Sequence, residues 1–227
     1  MGPADGWVTD GGLETDLIYH RGFDLPAFAA FPLLEHEAGR AALTDYFRGY
    51  ADVAVAAGRP LLLETPTWRA NPDWLRALGY DESAVTDVSQ VAVRFLQELA
   101  ASWALDVPAV LVGGVLGPRG DGYVPGEQME IAEATDYHLP QLTAFATAGA
   151  DRATALTLTD VHEAIGVARA AHEVGLPVAI GFTVETDGRL PGGLGLGEAI
   201  DLVDAAADPA YFVVNCAHPD HVRPGLE

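Results

Sequence analysis

Hydrophobic residues along this chain alternate between short unbroken apolar runs and longer stretches of helical period. The segment GWVTDGG, 6–12, reads as a strand ending in a glycine turn. Between 41 and 57, Leu43, Tyr46, Phe47, Tyr50, Val53, Ala54 and Ala57 recur at i, i+3 and i+4, which puts them on one buried helix face. A compact apolar run at 60–63 follows and ends in the carboxylate of Glu64. Val85, Val88, Ala92, Phe95, Leu96 and Leu99 predict a second amphipathic helix, and VPAVLVGGVLGP, 107–118, a third strand closed by glycines and proline. The alternation continues with helices over 135–148, 161–174 and 196–207, and strands over 151–158, 176–184 and 211–216.

Continuous apolar strands alternating with amphipathic helices imply a parallel sheet covered by helices. There is no Pro/Ser-rich linker and no shift of composition, so residues 1–227 read as a single domain. Polar residues and glycines gather just after the strands: Asp10-Gly11-Gly12, Glu64-Thr65, Gly113-Gly114, 157–160, 183–185 and Asn215-Cys216. Loops at that end of an α/β barrel converge on one face and carry its chemistry. An open doubly wound sheet also binds ligands there, but no G-x-G-x-x-G follows the first strand, so a barrel is preferred over a dinucleotide fold. A closed (β/α)8 TIM barrel takes roughly 250 residues. The pattern supplies about six βα units, the sixth without its helix. The expectation is a barrel truncated at its C-terminus, with an unusual partial barrel as the other reading.

Composition narrows the partners. Hydrophobic residues make up 49% and charged residues 20%, which suits a folded core. Twelve basic residues against 33 acidic ones give a net charge of −21, which repels phosphate backbones and anionic lipid. Nucleic acid and membrane surfaces are therefore not expected as partners. No run approaches the ~18 apolar residues of a membrane span, and the start MGPADGWVTDGG has no basic or apolar signal region. A single cysteine cannot close an internal disulfide, which fits a reducing cytoplasm.

That cysteine, Cys216, lies at a strand end and is followed by His218 and His221. From the residues alone it is a small buried hydrophobe, a nucleophile paired with histidine, or one ligand of a metal. Pro219 between the two histidines argues for a loop there. The glycine-rich PGGLGLGEA, 191–199, lacks the Lys-Ser/Thr of a phosphate-binding loop and reads as a loop opening a helix.

The ordered segments TDGGLET (9–15), LLETPTWRAN (62–71), GGVLGPRGDGY (113–123), AGAD (148–151), GFTVETDGRLPGG (181–193) and VVNCAHPDHV (213–222) resemble homocysteine S-methyltransferases, a family built on a (β/α)8 barrel. The resemblance implies a zinc-dependent transfer of a methyl group from a small sulfonium or ammonium donor to the thiol of homocysteine, giving methionine. In that family three cysteines hold Zn²⁺, one in the Asn-Cys motif and two in a Gly-Gly-Cys-Cys motif. By resemblance Cys216 is a zinc ligand, and the two further cysteines are absent from these 227 residues. Zinc coordination would deprotonate a thiol and hold it for attack. Asp10, Gly11 and Gly12 are implied to frame the acceptor pocket, with Asn215 shaping the metal loop. Glu64, Thr65, Gly114 and Thr157 are substrate-binding candidates at the other strand ends, and Trp68 is an apolar wall suited to a cationic donor. Aligned on Gly149–Asp151, Leu156 stands where the family carries the carboxylate that receives the acceptor's amino group. Asp160, Glu64 and Glu185 are the candidates for that role, or else the substrate differs. The rival function is a metal-free, catalytically incompetent barrel or ligand-binding relative. Should the chain close at Glu227, unpaired outer strands predict a homo-oligomer.

Overall fold

The computed structural model describes residues 6–81, 83–104, 106–124, 126 and 128–226. Residues 1–5 and 227, included in the single domain expected from sequence, lie outside the described residues. Six strands, β1 (Val8–Thr9), β2 (Leu61–Glu64), β3 (Val110–Leu116), β4 (Arg152–Leu158), β5 (Val178–Phe182) and β6 (Tyr211–Val214), form one sheet in sequence order. Every neighbouring pair is parallel. The sheet curls into an open part of a barrel, with β1 and β6 as its outer strands. This is the α/β architecture expected, with six strands in place.

The helices lie where the apolar periods put them. α1 (Leu13–Thr15) and α2 (Glu37–Ala57) follow β1, while α3 (Pro72–Ala77) and α4 (Ala84–Trp103) follow β2. α5 (Ile131–Thr147), α6 (Val161–Glu173), α7 (Leu196–Ala207) and α8 (Pro219–Leu226) follow the remaining strands in turn. Leu43, Phe47 and Ala54 of α2 and Ala92 and Leu96 of α4 are fully buried against the sheet. The glycine-rich segment does open a helix, α7.

Two expectations fail. The sixth unit has its helix, α8, and the segment after Pro219 is helical rather than a loop. Proline is well tolerated at the first turn of a helix, where its missing N–H has no partner to lose, so Pro219 starts α8. The stretch between β1 and α2, which has no apolar period, also folds into short helical turns, Pro26–Phe28 and Phe31–Glu35 among them.

The feature that matters most for the site is a break in β4. Its register against β5 shifts between Ala155 and Leu158, and Thr157 sits at φ 64°. A β-branched residue in the left-handed region is strained, costing about 1–3 kcal/mol. Gly181 lets β5 approach this bulge: a Cβ there would stand 2.6 Å from the Ala155 carbonyl oxygen.

Candidate active site at the strand ends

A cavity of about 490 Å³ opens at the carboxyl ends of the strands. Asp10, Gly11 and Gly12 border it on the β1 side, Glu64, Thr65 and Trp68 on the β2 side. Thr157, Asn215 and Cys216 close it on the β4 and β6 side. Nine of the ten residues singled out from sequence thus meet around one space. Gly114 lies away from it, with its α-hydrogens against the Phe145 ring of α5; a Cβ there would come within 2.4 Å of that ring. The neighbouring Gly113 faces the interior, between Leu62, Glu64 and Arg152.

Each wall is fixed by bonds legible in the geometry. Tyr46 and Tyr50 of α2 both donate from their hydroxyls to the Gly11 carbonyl at 2.9 Å. The Gly11 N–H in turn donates to the Tyr46 oxygen at 3.1 Å, and Gly12 makes the turn into α1 at φ 66°. The Glu64 N–H donates to Asp10 Oδ1 at 3.2 Å, so these two carboxylates are held side by side. Thr65 is buried, and its hydroxyl is taken up in a relay: Val115 N–H donates to Thr65 Oγ1 at 2.8 Å, Thr65 and Thr67 share a 2.6 Å bond, and Thr67 donates to the Val115 carbonyl at 2.6 Å. Trp68 donates from Nε1 to the Leu156 carbonyl at 3.1 Å. One face of its ring is already covered by the Arg69 guanidinium, 4.1 Å from the centroid.

On the far wall Asn215 grips the β4 bulge with both ends of its amide. Thr157 N–H donates to Asn215 Oδ1 at 3.0 Å, and Asn215 Nδ2 donates to Thr157 Oγ1 at 2.8 Å. The same Nδ2 stands 3.2 Å from Cys216 Sγ, and Thr157 Oγ1 stands 3.8 Å from it. Cys216 is itself at φ 55° and exposed. Two strained residues on adjacent walls, tied by one side chain, point a thiol and a hydroxyl at the same space. Strain of this kind concentrates at functional sites.

The electrostatics are lopsided. Burial pushes Asp10 well above the usual carboxylate range, and the neighbouring Glu64 adds to the rise. Glu64 is also raised by burial, opposed by Thr154 and by Arg152. Glu14, the second residue of α1, lines the same cavity and is pushed up to about 7 by burial. Across the cavity, burial and the neighbouring Cys216 thiol raise the Tyr123 phenol.

Sequence reasoning missed several lining residues: Glu14, Phe28, Tyr123, Thr154 and Tyr211. Thr154 and Tyr211 carry a usable signal, since they alternate with Leu156 and Val213 on the inward face of their strands. Phe28 and Tyr123 come from irregular segments that have none. Of the carboxylates weighed as partners for an amino group, only Glu64 lines this cavity. Asp160 caps α6, accepting from the Glu163 N–H at 3.0 Å, and Glu185 is exposed in a turn before α7.

Zinc is not accommodated by these residues alone. Among the described residues no group of three or more His, Cys, Asp and Glu side chains is placed to hold a metal ion. His218 and His221 tilt toward each other, ring centroids 5.6 Å apart, and His218 Nδ1 lies 3.6 Å from Asp220. The chain offers one sulfur at the strand ends, Cys216.

A parallel sheet with a cavity at its strand ends is the architecture of a barrel enzyme, and four of the six motifs noted in the sequence, 9–15, 62–71, 113–123 and 213–222, supply walls of that cavity. Residues 7–227 match the family model for homocysteine S-methyltransferases, and the chain belongs to that family of methyltransferases. No protein of curated function matches the chain in sequence. Among solved structures, the metallated form of the homocysteine methyltransferase MmuM from Escherichia coli superposes with a TM-score of 0.78 at 22% identity, over 97% of this chain and 77% of that one. The oxidized form of the same protein gives 0.80 at 19% identity, over 98% and 77%. At such identities the likeness concerns the fold.

Proposed function

We propose that the strand-end cavity binds a small thiol, homocysteine in the first instance, and that the protein methylates its sulfur from a small sulfonium or ammonium donor to give methionine. The observation that carries this is the assembly around one cavity of Asp10, Gly12, Glu64, Trp68, Asn215 and Cys216, drawn from three separate motifs, with Thr157 from the end of β4. In this reading the chain's own residues bind and orient. Glycines 11 and 12 bring backbone close to the acceptor, and Asn215 with Thr157 fixes the thiol-bearing wall. Trp68, Phe28 and Tyr123 supply aromatic surface for the donor's onium carbon, a contact that a cation favours.

We propose further that the active protein is zinc-dependent, with Cys216 as one sulfur ligand and its other ligands drawn from outside the described residues. The metal would supply thiolate activation when bound. A second reading, a metal-free ligand-binding relative, is favoured by the single cysteine that the described residues offer. The proposed setting is the cytoplasm; among the described residues no helix is long and apolar enough to cross a membrane.

The test is methionine formation from homocysteine with S-methylmethionine or S-adenosylmethionine, alongside zinc content, for the wild type and Cys216→Ser. The proposal expects activity and metal in the wild type and loss of both in the variant. Thiol binding without turnover or metal supports the second reading. Full turnover by a metal-free preparation refutes zinc dependence.

A further inference from the structure

The Asp10–Gly12 turn reaches the strand-end cavity with little packed against it. Gly11 and Gly12 are exposed, and among the described residues a Cβ on either would meet no heavy atom within 4 Å. Glycine also loses more backbone freedom on ordering than any other residue. Packing therefore does not fix this turn. Two phenols of α2 do, from behind.

Tyr46 and Tyr50 stand one helical turn apart on the same face of α2, their ring centroids 5.2 Å apart. Neither tyrosine lines the strand-end cavity. Both line a second cavity of about 400 Å³, which shares Gly11, Gly12 and Thr15 with the first, so the turn is the partition between the two. A carbonyl oxygen has two lone pairs, and the two hydroxyls take those of Gly11, each at 2.9 Å. Tyr46 does more. Its oxygen accepts the Gly11 N–H at 3.1 Å and lies 3.4 Å from Asp10 Oδ2. A phenol has one proton, so Tyr46 donates either to Gly11 or to Asp10 at a given moment. When that proton turns to Asp10, Tyr50 still holds the carbonyl. The other Asp10 oxygen accepts from the Glu64 N–H at 3.2 Å, which joins the turn to β2. Tyr46 is buried, with its ring set edge-on to Phe47, so its hydroxyl is a fixed point for the turn.

We infer that Tyr46 and Tyr50 are positioning residues for the acceptor: without touching substrate, their hydroxyls hold Asp10 and Gly11 in the conformation against which the thiol ligand packs. This rests on the reading of the strand-end cavity as a thiol site. Fixing the turn beforehand removes an ordering cost from binding, so the effect falls on affinity and not on the fold alone.

The experiment measures homocysteine affinity by calorimetry and backbone amide exchange by NMR on the 227-residue chain. Wild type, Tyr46→Phe, Tyr50→Phe and the double variant are compared with a remote control, Tyr80→Phe, whose hydroxyl donates to Glu35 at 2.8 Å. Circular dichroism checks the folding of each. One hydrogen bond corresponds to about twofold to tenfold in an equilibrium constant. Tyr46→Phe removes bonds to both polar groups of Gly11 and should weaken homocysteine about tenfold; Tyr50→Phe leaves Tyr46 on the carbonyl and should weaken it about threefold. The double variant should lose more than the product of the two, because each single change leaves the carbonyl one donor. Exchange at the Gly11 amide should quicken about tenfold in Tyr46→Phe while the amides of β3 and β4 keep their protection. Tyr80→Phe should change none of these. Should Tyr46→Phe not fold, Tyr50→Phe carries the comparison, and wild-type affinity there overturns the inference. Wild-type affinity in folded Tyr46→Phe and double variants, or faster exchange spread evenly through the sheet, overturns it and leaves the thiol site standing. A wild type that binds no homocysteine overturns both.

Discussion

Replacing Asn215 by alanine should unfold the protein more readily than any other single change at the cavity rim. Two bonds to Thr157 vanish together, the 3.0 Å bond from its N–H and the 2.8 Å bond to its hydroxyl. Thr157 is 1% exposed, and its N–H loses its protein partner when the amide is removed. An orphaned buried donor costs about 1–3 kcal/mol and the second bond about 1 kcal/mol more. The backbone strain at Thr157 remains while the clamp that holds it is gone. The expected loss is about 2–4 kcal/mol, or roughly 5–15 °C in Tm for a domain of this size. Thermal and urea unfolding measure it. The reasoning also makes a coupling claim. Glycine accepts the left-handed backbone without penalty, so Asn215→Ala should cost at least about 1 kcal/mol less in a Thr157→Gly background than in the wild type. A Tm within about 1 °C of wild type for Asn215→Ala, or strictly additive effects in the cycle, would refute the view that this amide stabilises a strained bulge.

Other outcomes follow from the same geometry. Glu14 has its carboxyl pushed up to about 7, above its ordinary 4.5, so the folded state favours its protonated form. Its contribution is intact below about pH 4.5 and lost as pH rises through about 7; Glu14→Gln should flatten the fall in stability across that window, as read by urea unfolding at several pH values. Gly114→Ala drives a methyl into the Phe145 ring and should cost about 1–3 kcal/mol while leaving thiol affinity unchanged. If instead affinity falls with stability intact, Gly114 belongs to the pocket after all. Among the described residues β1 and β6 are the outer strands of the sheet, and an outer strand is a template for pairing with another chain. Light scattering of the 227-residue chain should then show self-association, and a compact monomer would count against it.

Much of this fold is legible because buried parallel strands and amphipathic helices leave different periods in the sequence. Leu43, Phe47 and Ala54 mark α2, and Ala92 and Leu96 mark α4, by spacing alone. The segment before α2 is not legible for the opposite reason. Ala27 and Phe28 are both left-handed within the short turn Pro26–Phe28, ahead of a second turn at Phe31–Glu35, and such a path leaves no repeat. Pro219 misleads because the same residue ends helices and begins them. At the site, polar residues after strands are found by position, but facing is decided by alternation. That is why Gly113 points inward and Gly114 does not. The alternation is itself interrupted at the β4 bulge, where Leu156 and Thr157, adjacent in sequence, both border the cavity. No period predicts that.

The account stands on a single cavity that receives a thiol amino acid with its sulfur at the Cys216 wall. A crystal structure of the homocysteine complex, with the ligand sulfur located by anomalous scattering, tests this most directly. The expected density places that sulfur beside Cys216, Asn215 and Thr157. Homocysteine seated elsewhere on the molecule, or reversed with its sulfur against Asp10 and Glu64, would contradict it.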